Sequence, residues 1–157
     1  MTNDTSPDYS ESDSKRDLRV VFAGSRKIGV FADEIEAIVD WRTPTPLPQA
    51  PKSVLGVVSI HGRMLTVLDI AALLGDEVGV VASSIVVLRG DEQLALAVDS
   101  ADDTITIAAN ELQNTETDER SVILGVVPRG DESIAVLNVG ELFPAAIRGH
   151  ERRRRRF

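Results

Sequence analysis

Apolar residues along this chain fall in short β-branched runs broken by Gly, Asp and Pro, and almost nowhere at helical spacing. Leu18 to Ala23 and Ile28 to Ala32 flank Gly24-Ser25-Arg26-Lys27, a pattern that predicts a hairpin. Val54 to Ile60 and Met64 to Ile70 predict a second hairpin about His61-Gly62-Arg63. Between the two, Thr43 to Pro51 contains Pro44, Pro46, Pro48 and Pro51. Proline has no amide hydrogen to donate to a ladder, so this stretch reads as an extended surface connection. Ile70 to Leu74 predicts a short helical turn that stops at Gly75. Val54 to Ile60 is apolar at nearly every position, which points to a strand buried on both faces, as when two barrels pack together.

The same order then recurs. Val20-Val21-Phe22 matches Val86-Val87-Leu88, Gly24 matches Gly90, and Ile28 to Asp33 matches Leu94 to Asp99, all at an offset of 66 residues. "LGVVSIHGRMLTVLDIAALL" from Leu55 lines up with "LGVVPRGDESIAVLNVGELF" from Leu124 at an offset of 69, pairing Gly56 with Gly125 and Asp69 with Asn138. Several positions holding register in this way indicate a duplication. Each half has roughly 65 residues, too few to be stable alone. A short sheet hides its edges by curling or closing, so the expectation is an all-β chain of two similar small barrels, one per half, sharing a core.

Composition narrows the function classes. Val, Ile, Leu and Ala dominate while aromatics are 4%, so the core is aliphatic. There is no cysteine, which excludes a disulfide scaffold, a thiol nucleophile and a thiolate zinc site. No apolar run approaches the roughly 20 residues of a membrane span, and the N-terminus lacks the apolar centre of a signal peptide, so a cytosolic chain is expected. Charge is unevenly spread. Residues 19–150 carry nineteen acids against ten bases, while residues 151–157 carry five arginines and one acid. An acidic body repels nucleic acid. Only Arg152 to Arg156 could attract a polyanion, and a solvated tail is the simpler reading of that run. The opening stretch, residues 1–17, is polar, acidic and without periodicity, and reads as disordered.

Candidate chemistry is sparse. His61 and His150 are the two histidines, and His61 sits in a hairpin turn, where it serves as a turn or contact residue before a base. Asp33, Asp69 and Asp99 each close a strand. Asp69 stands at a strand-to-helix junction, where its side chain can accept the first helical amide hydrogens, and Asn138 can do the same in the second half. Carboxylate metal ligands are the alternative for these aspartates. No phosphate loop, dinucleotide fingerprint or metal-spaced His cluster occurs, and nothing argues for an enzyme. Gly56 and Gly125 interrupt apolar strands, where glycine signals a bend or a close backbone approach. Trp41 beside the proline-rich stretch is either a lid on the core or an interface anchor.

The run "PQAPKSVLGVVSIHGRMLTVLDIAALLG", Pro48 to Gly75, resembles the signature of CheW-like domains. "LALAVDSADDTITI", Leu94 to Ile107, is similar to that family's second-barrel hairpin, and "ILGVVPRGDESIAVLNVGELF", Ile123 to Phe143, to its closing strands and helix. The resemblance spans roughly residues 17–145. It implies two tandem SH3-like five-stranded β-barrels with short helices over residues 18–147, interlocked halves at roughly 18–80 and 81–147 with an exchange of terminal strands left open, and a basic tail over 148–157. It also implies a cytoplasmic adaptor, without cofactor, catalysis or membrane insertion, recruited to receptor arrays. There it would join chemoreceptor tips to the regulatory domain of the histidine kinase CheA. By motif position the receptor-facing groove would be formed by Ile35, Ile38, Gly56, Ile60, His61 and Gly62.

His61 stands where the family usually has arginine, with Arg63 on the other side of Gly62, and Thr66 replaces a usual proline. Arginine offers a permanent charge and a bidentate fork that neutral histidine lacks. Ala101 and Thr104 replace larger apolar residues common in the family's second barrel. Two other readings stand beside the adaptor: a scaffold of a non-flagellar pathway or array decoy, and a small-molecule- or nucleic-acid-binding barrel pair anchored by the arginine tail.

Overall fold

The computed structural model describes residues 14–75, 82–114 and 122–147. Ten strands form two five-stranded sheets. In chain order they are β1 (Lys15–Ala23), β2 (Arg26–Phe31), β3 (Ile35–Asp40), β4 (Val54–Ile60), β5 (Arg63–Asp69), β6 (Ser84–Leu88), β7 (Leu94–Val98), β8 (Ser100–Ala108), β9 (Ile123–Arg129) and β10 (Glu132–Leu137). A short helix, α1 (Ile70–Leu73), follows β5, and residues 142–147 are helical after a 3-10 turn at Val139–Glu141. The two predicted hairpins and the helix ending at Gly75 are present, the latter with Gly75 at φ +88°.

The halves do not each close on themselves as the repeat alone implies. One sheet has the order β8-β1-β2-β10-β9 and the other β3-β6-β7-β5-β4. The first hairpin of each half therefore joins the sheet of the other half, through parallel pairs of β2 with β10 and of β5 with β7. The point near residue 80 that divides the repeat does not divide the sheets.

Each sheet closes into a barrel where the chain leaving the strand at one end of its order, β3 or β8, crosses the strand at the other end, β4 or β9. Thr45 exchanges both backbone hydrogen bonds with Val57 of β4 (2.8 and 2.9 Å), and Gln113 does the same with Val126 of β9 (2.8 and 2.7 Å). The crossing explains the two strand glycines. A Cβ on Gly56 would lie 2.2 Å from the Thr45 carbonyl oxygen, and one on Gly125 would lie 2.6 Å from that of Gln113. Gly56 also holds φ +145°. Both strands bulge beside the glycine, skipping Leu55 and Leu124 in the ladder.

Side-chain alternation sorts the aliphatic residues into three cores. Ile85, Val87, Ala95 and Ala97 face the interior of one barrel with Val58, Ile60, Leu65 and Val67. Leu18, Val20, Phe31, Val127 and Val136 are among those filling the other. Their sequence neighbours Val21, Val30, Val86, Leu88, Leu94, Leu96 and Val98 point the opposite way, into a core shared by both sheets. Strands buried on both faces are thus β6 and β7, buried almost throughout. β4, the strand expected to be so, exposes Ser59 because it lies at the end of its sheet's order, beside the crossing. Trp41 is half-buried and packs on the core of the β3–β7 barrel, as a lid.

Order also begins earlier than hydropathy predicts. Lys15, Arg16 and Asp17, expected within a disordered tail, form the start of β1 and pair with Ala108, Ile107 and Thr106 of β8. They are exposed, so burial gives no signal. The Arg16 guanidinium stacks on Phe31 at 3.5 Å and pairs with Asp33 at 2.9 Å, and Asp17 accepts a hydrogen bond from Thr106. The remaining tail expectations, over residues 1–13 and 148–157, lie outside the described residues.

Candidate functional site

The three strand-end aspartates have local partners. Asp33 pairs with Arg16, and the Asp99 carboxylate accepts from the Gly24 amide at 3.1 Å, tying β7 to the first hairpin turn. Asp69 accepts from the amides of Ala71 and Ala72 at 3.0 and 3.4 Å, the N-cap expected of it. Asn138 departs from that expectation. It occupies the corresponding position, but its side chain makes no cap hydrogen bond. The turn there is 3-10, and the Glu141 amide is taken by the Asn138 carbonyl at 2.9 Å. Among the described residues no group of three or more His, Cys, Asp and Glu could hold a metal ion.

Of the six residues assigned to the groove by resemblance, the fold brings two together in an open cavity. Ile35 and Ile38 lie on β3, at one end of its sheet, and pack on the shared core while remaining partly exposed. They line a depression of about 430 Å³ with Ala32 and Ala37 on one side and Arg19 of β1 and Thr104 of β8 on the other. This cavity lies between the two barrels, since β1 and β8 belong to one sheet and β3 to the other. Gly56 and Ile60 do not line it. Gly56 is buried against Thr45, and Ile60 is 2% exposed inside its barrel. His61 (φ +54°) and Gly62 (φ +80°) form the exposed two-residue turn of the β4–β5 hairpin, a conformation glycine adopts without strain.

That turn is tied to the groove strand. Arg63, directly after Gly62, pairs with Glu36 at 2.7 Å, and Glu36 lies between Ile35 and Ala37 on β3. Arg42 donates to the Ser59 carbonyl at 2.8 Å across the same barrel closure. The other barrel has a similar clasp, Arg129 on Glu111 at 3.0 Å; this pair and the Ala108 amide hold the Glu111 carboxyl below the usual range, the backbone hydrogen bond being the larger cause. Burial raises the pKa of Glu34, in the 3-10 turn just before β3, against the opposing pull of Arg16. Exposed Met64, at 57%, adds an apolar spot beside the hairpin tip.

Sequence reading missed Arg19 as a residue lining this depression. Its signal was a lone charge inside Leu18-Arg19-Val20-Val21, which alternation alone assigns to the outer face of a strand. Ala32 and Ala37 carry no such mark.

Among the described residues this arrangement offers an inter-barrel depression and an exposed hairpin tip with an apolar spot beside it. The chain is 29% identical over 137 residues to "Chemotaxis protein CheW" of Rhizobium meliloti (strain 1021), covering 83% of this chain and 88% of that protein. It is 25% identical over 135 residues to "Probable chemotaxis protein CheW" of Rhizobium etli, covering 82% and 87%. The crystal structure of the scaffolding protein TtCheW from Thermoanaerobacter tengcongensis superposes with a TM-score of 0.71 at 18% identity, over 80% of this chain and 90% of that one, and so shares the fold. No helix among the described residues is long and apolar enough to cross a membrane. The CheW-like domain model matches residues 18–146, and with that span this chain belongs to the CheW-like family.

Proposed function

We propose that this chain, a chemotaxis signalling adaptor of the CheW-like family, joins chemoreceptor cytoplasmic tips to the regulatory domain of the histidine kinase CheA in membrane-associated arrays. The observation that carries the receptor side is the inter-barrel depression, with an apolar floor at Ile35 and Ile38 and a polar wall at Arg19 and Thr104, a trough suited to the ridge of an amphipathic helical hairpin. For one chain to hold both partners, the kinase domain takes surface outside this depression. His61 and Gly62 stand beyond the groove at the hairpin tip, where they contact a docked helix at its margin.

The test is Ile38→Gln, which replaces the branched apolar side chain in the groove with an amide of similar size. Affinity for a cognate receptor tip is expected to fall about tenfold, the loss of one well-buried apolar contact. Binding of the kinase regulatory domain is expected to be unchanged, which also shows the variant is folded. Equal receptor affinity in the variant contradicts the groove assignment. Kinase binding by the native chain without any receptor binding would favour the decoy reading, which His61 motivates.

A further inference from the structure

Arg19 is half-exposed as a residue, yet its Nε is buried without a hydrogen-bond partner. No described residue pairs with its guanidinium: Asp33 is engaged by Arg16 and Glu36 by Arg63, and Glu34, whose Oε1 is buried without a partner, does not bond it. The fold puts this unpaired charge at the wall of the inter-barrel depression, opposite Ile35 and Ile38. It sits there for a local reason. Arg19 faces Thr104 across the β1–β8 ladder at a register shift, where the next pair is Val21 with Ala101. Thr104 and Ala101 are small, so the guanidinium has room in a wall that larger side chains would fill.

An arginine keeps its charge at any ordinary pH, and a buried N–H left unpaired is costly. The Nε is enclosed by this chain, but the half-exposed side chain leaves the end of the guanidinium open to a partner, and a carboxylate there matches its full charge and its fork. We infer that Arg19 is a specificity residue of the groove, reading a carboxylate side chain on the docked receptor helix. The inference rests on the receptor reading of the groove and adds to it the chemistry of one contact. It also accounts for a permanent charge in the groove of a chain whose hairpin turn has His61 beside Gly62. A receptor lacking an acid at the matching position would be discriminated against, because docking would bury the guanidinium unpaired.

The test uses the full chain, Arg19→Met, Arg19→Lys, a receptor-tip hairpin as probe and the kinase regulatory domain as control. Arg19→Met is expected to weaken tip binding roughly tenfold to a hundredfold. Kinase-domain binding and the melting temperature should not fall. Arg19→Lys, which keeps charge without the fork, should recover part of the loss. Changing the acids of the tip one at a time to Gln or Asn should reveal one whose loss costs the native chain as much but costs Arg19→Met nothing. Unchanged tip affinity in Arg19→Met, or no acid that couples to Arg19, overturns the inference while leaving the adaptor reading intact. Absence of tip binding by the native chain overturns the groove reading, and this inference with it.

Discussion

Residues 1–75 and 82–157, produced as separate chains, are expected to be unfolded alone and to fold when mixed. The reason is the reciprocal exchange of hairpins. Without the second half, β1–β2 loses β8 and β10, β3 loses β6 and β5 loses β7. What remains is two isolated hairpins, and a lone two-stranded hairpin is marginal at best in water. The shared core also comes apart, because it is built from Val21, Ile28 and Leu68 of one half and Val86, Leu96 and Leu137 of the other. Circular dichroism of each fragment should show no cooperative thermal transition, and an equimolar mixture should recover one. A fragment of residues 1–75 that melts cooperatively by itself would contradict the interlocked arrangement.

Gly56→Ala is expected to cost about 3 kcal/mol or more of folding stability. Two independent penalties meet there: a φ of +145°, which side chains with a Cβ rarely adopt, and a Cβ 2.2 Å from the Thr45 carbonyl oxygen. The Thr45 carbonyl cannot move aside freely, because it accepts the Val57 amide hydrogen that closes the barrel. Gly125→Ala meets the Gln113 carbonyl oxygen at 2.6 Å without a positive φ, so it should cost less, about 1–3 kcal/mol. Gly62, at a turn with open space around it, carries only the φ penalty. Denaturant melts of these variants should rank in that order. A Gly56→Ala protein as stable as the native chain would contradict the crossing as the reason for the glycine. Loss of receptor coupling on changing Gly56 is therefore expected to follow from loss of the barrel.

β4 was legible to the residue, because Val54 to Ile60 is a continuous apolar run between breakers. The glycine at 56 announced a close approach, but its partner, eleven residues earlier in a proline-rich stretch, carries no pattern of its own. Strand exchange was hidden by the duplication itself. The first hairpin of each half has the same alternation, so either fits either sheet, and periodicity cannot choose between them. β8 was hard to delimit for another reason. Its Asp102 and Asp103 are exposed on an end strand, where burial leaves no imprint. In the site, the family resemblance pointed to Ile35 and Ile38, which do line the cavity, and to Ile60, which faces a barrel interior. Arg19 was visible only as an oddity, since its meaning depends on Ile35 and Ile38 in the other sheet.

In the proposed adaptor role, one small chain binds two partners at once through different surfaces. Sedimentation velocity of the purified chain with a cognate kinase regulatory domain and a receptor-tip hairpin, each at on the order of tens of micromolar, tests this most directly. The expected result is a boundary containing all three components, faster than either binary complex and lost when the chain is omitted. Mutual displacement of the two partners, or failure of the kinase domain to bind at all, would contradict it.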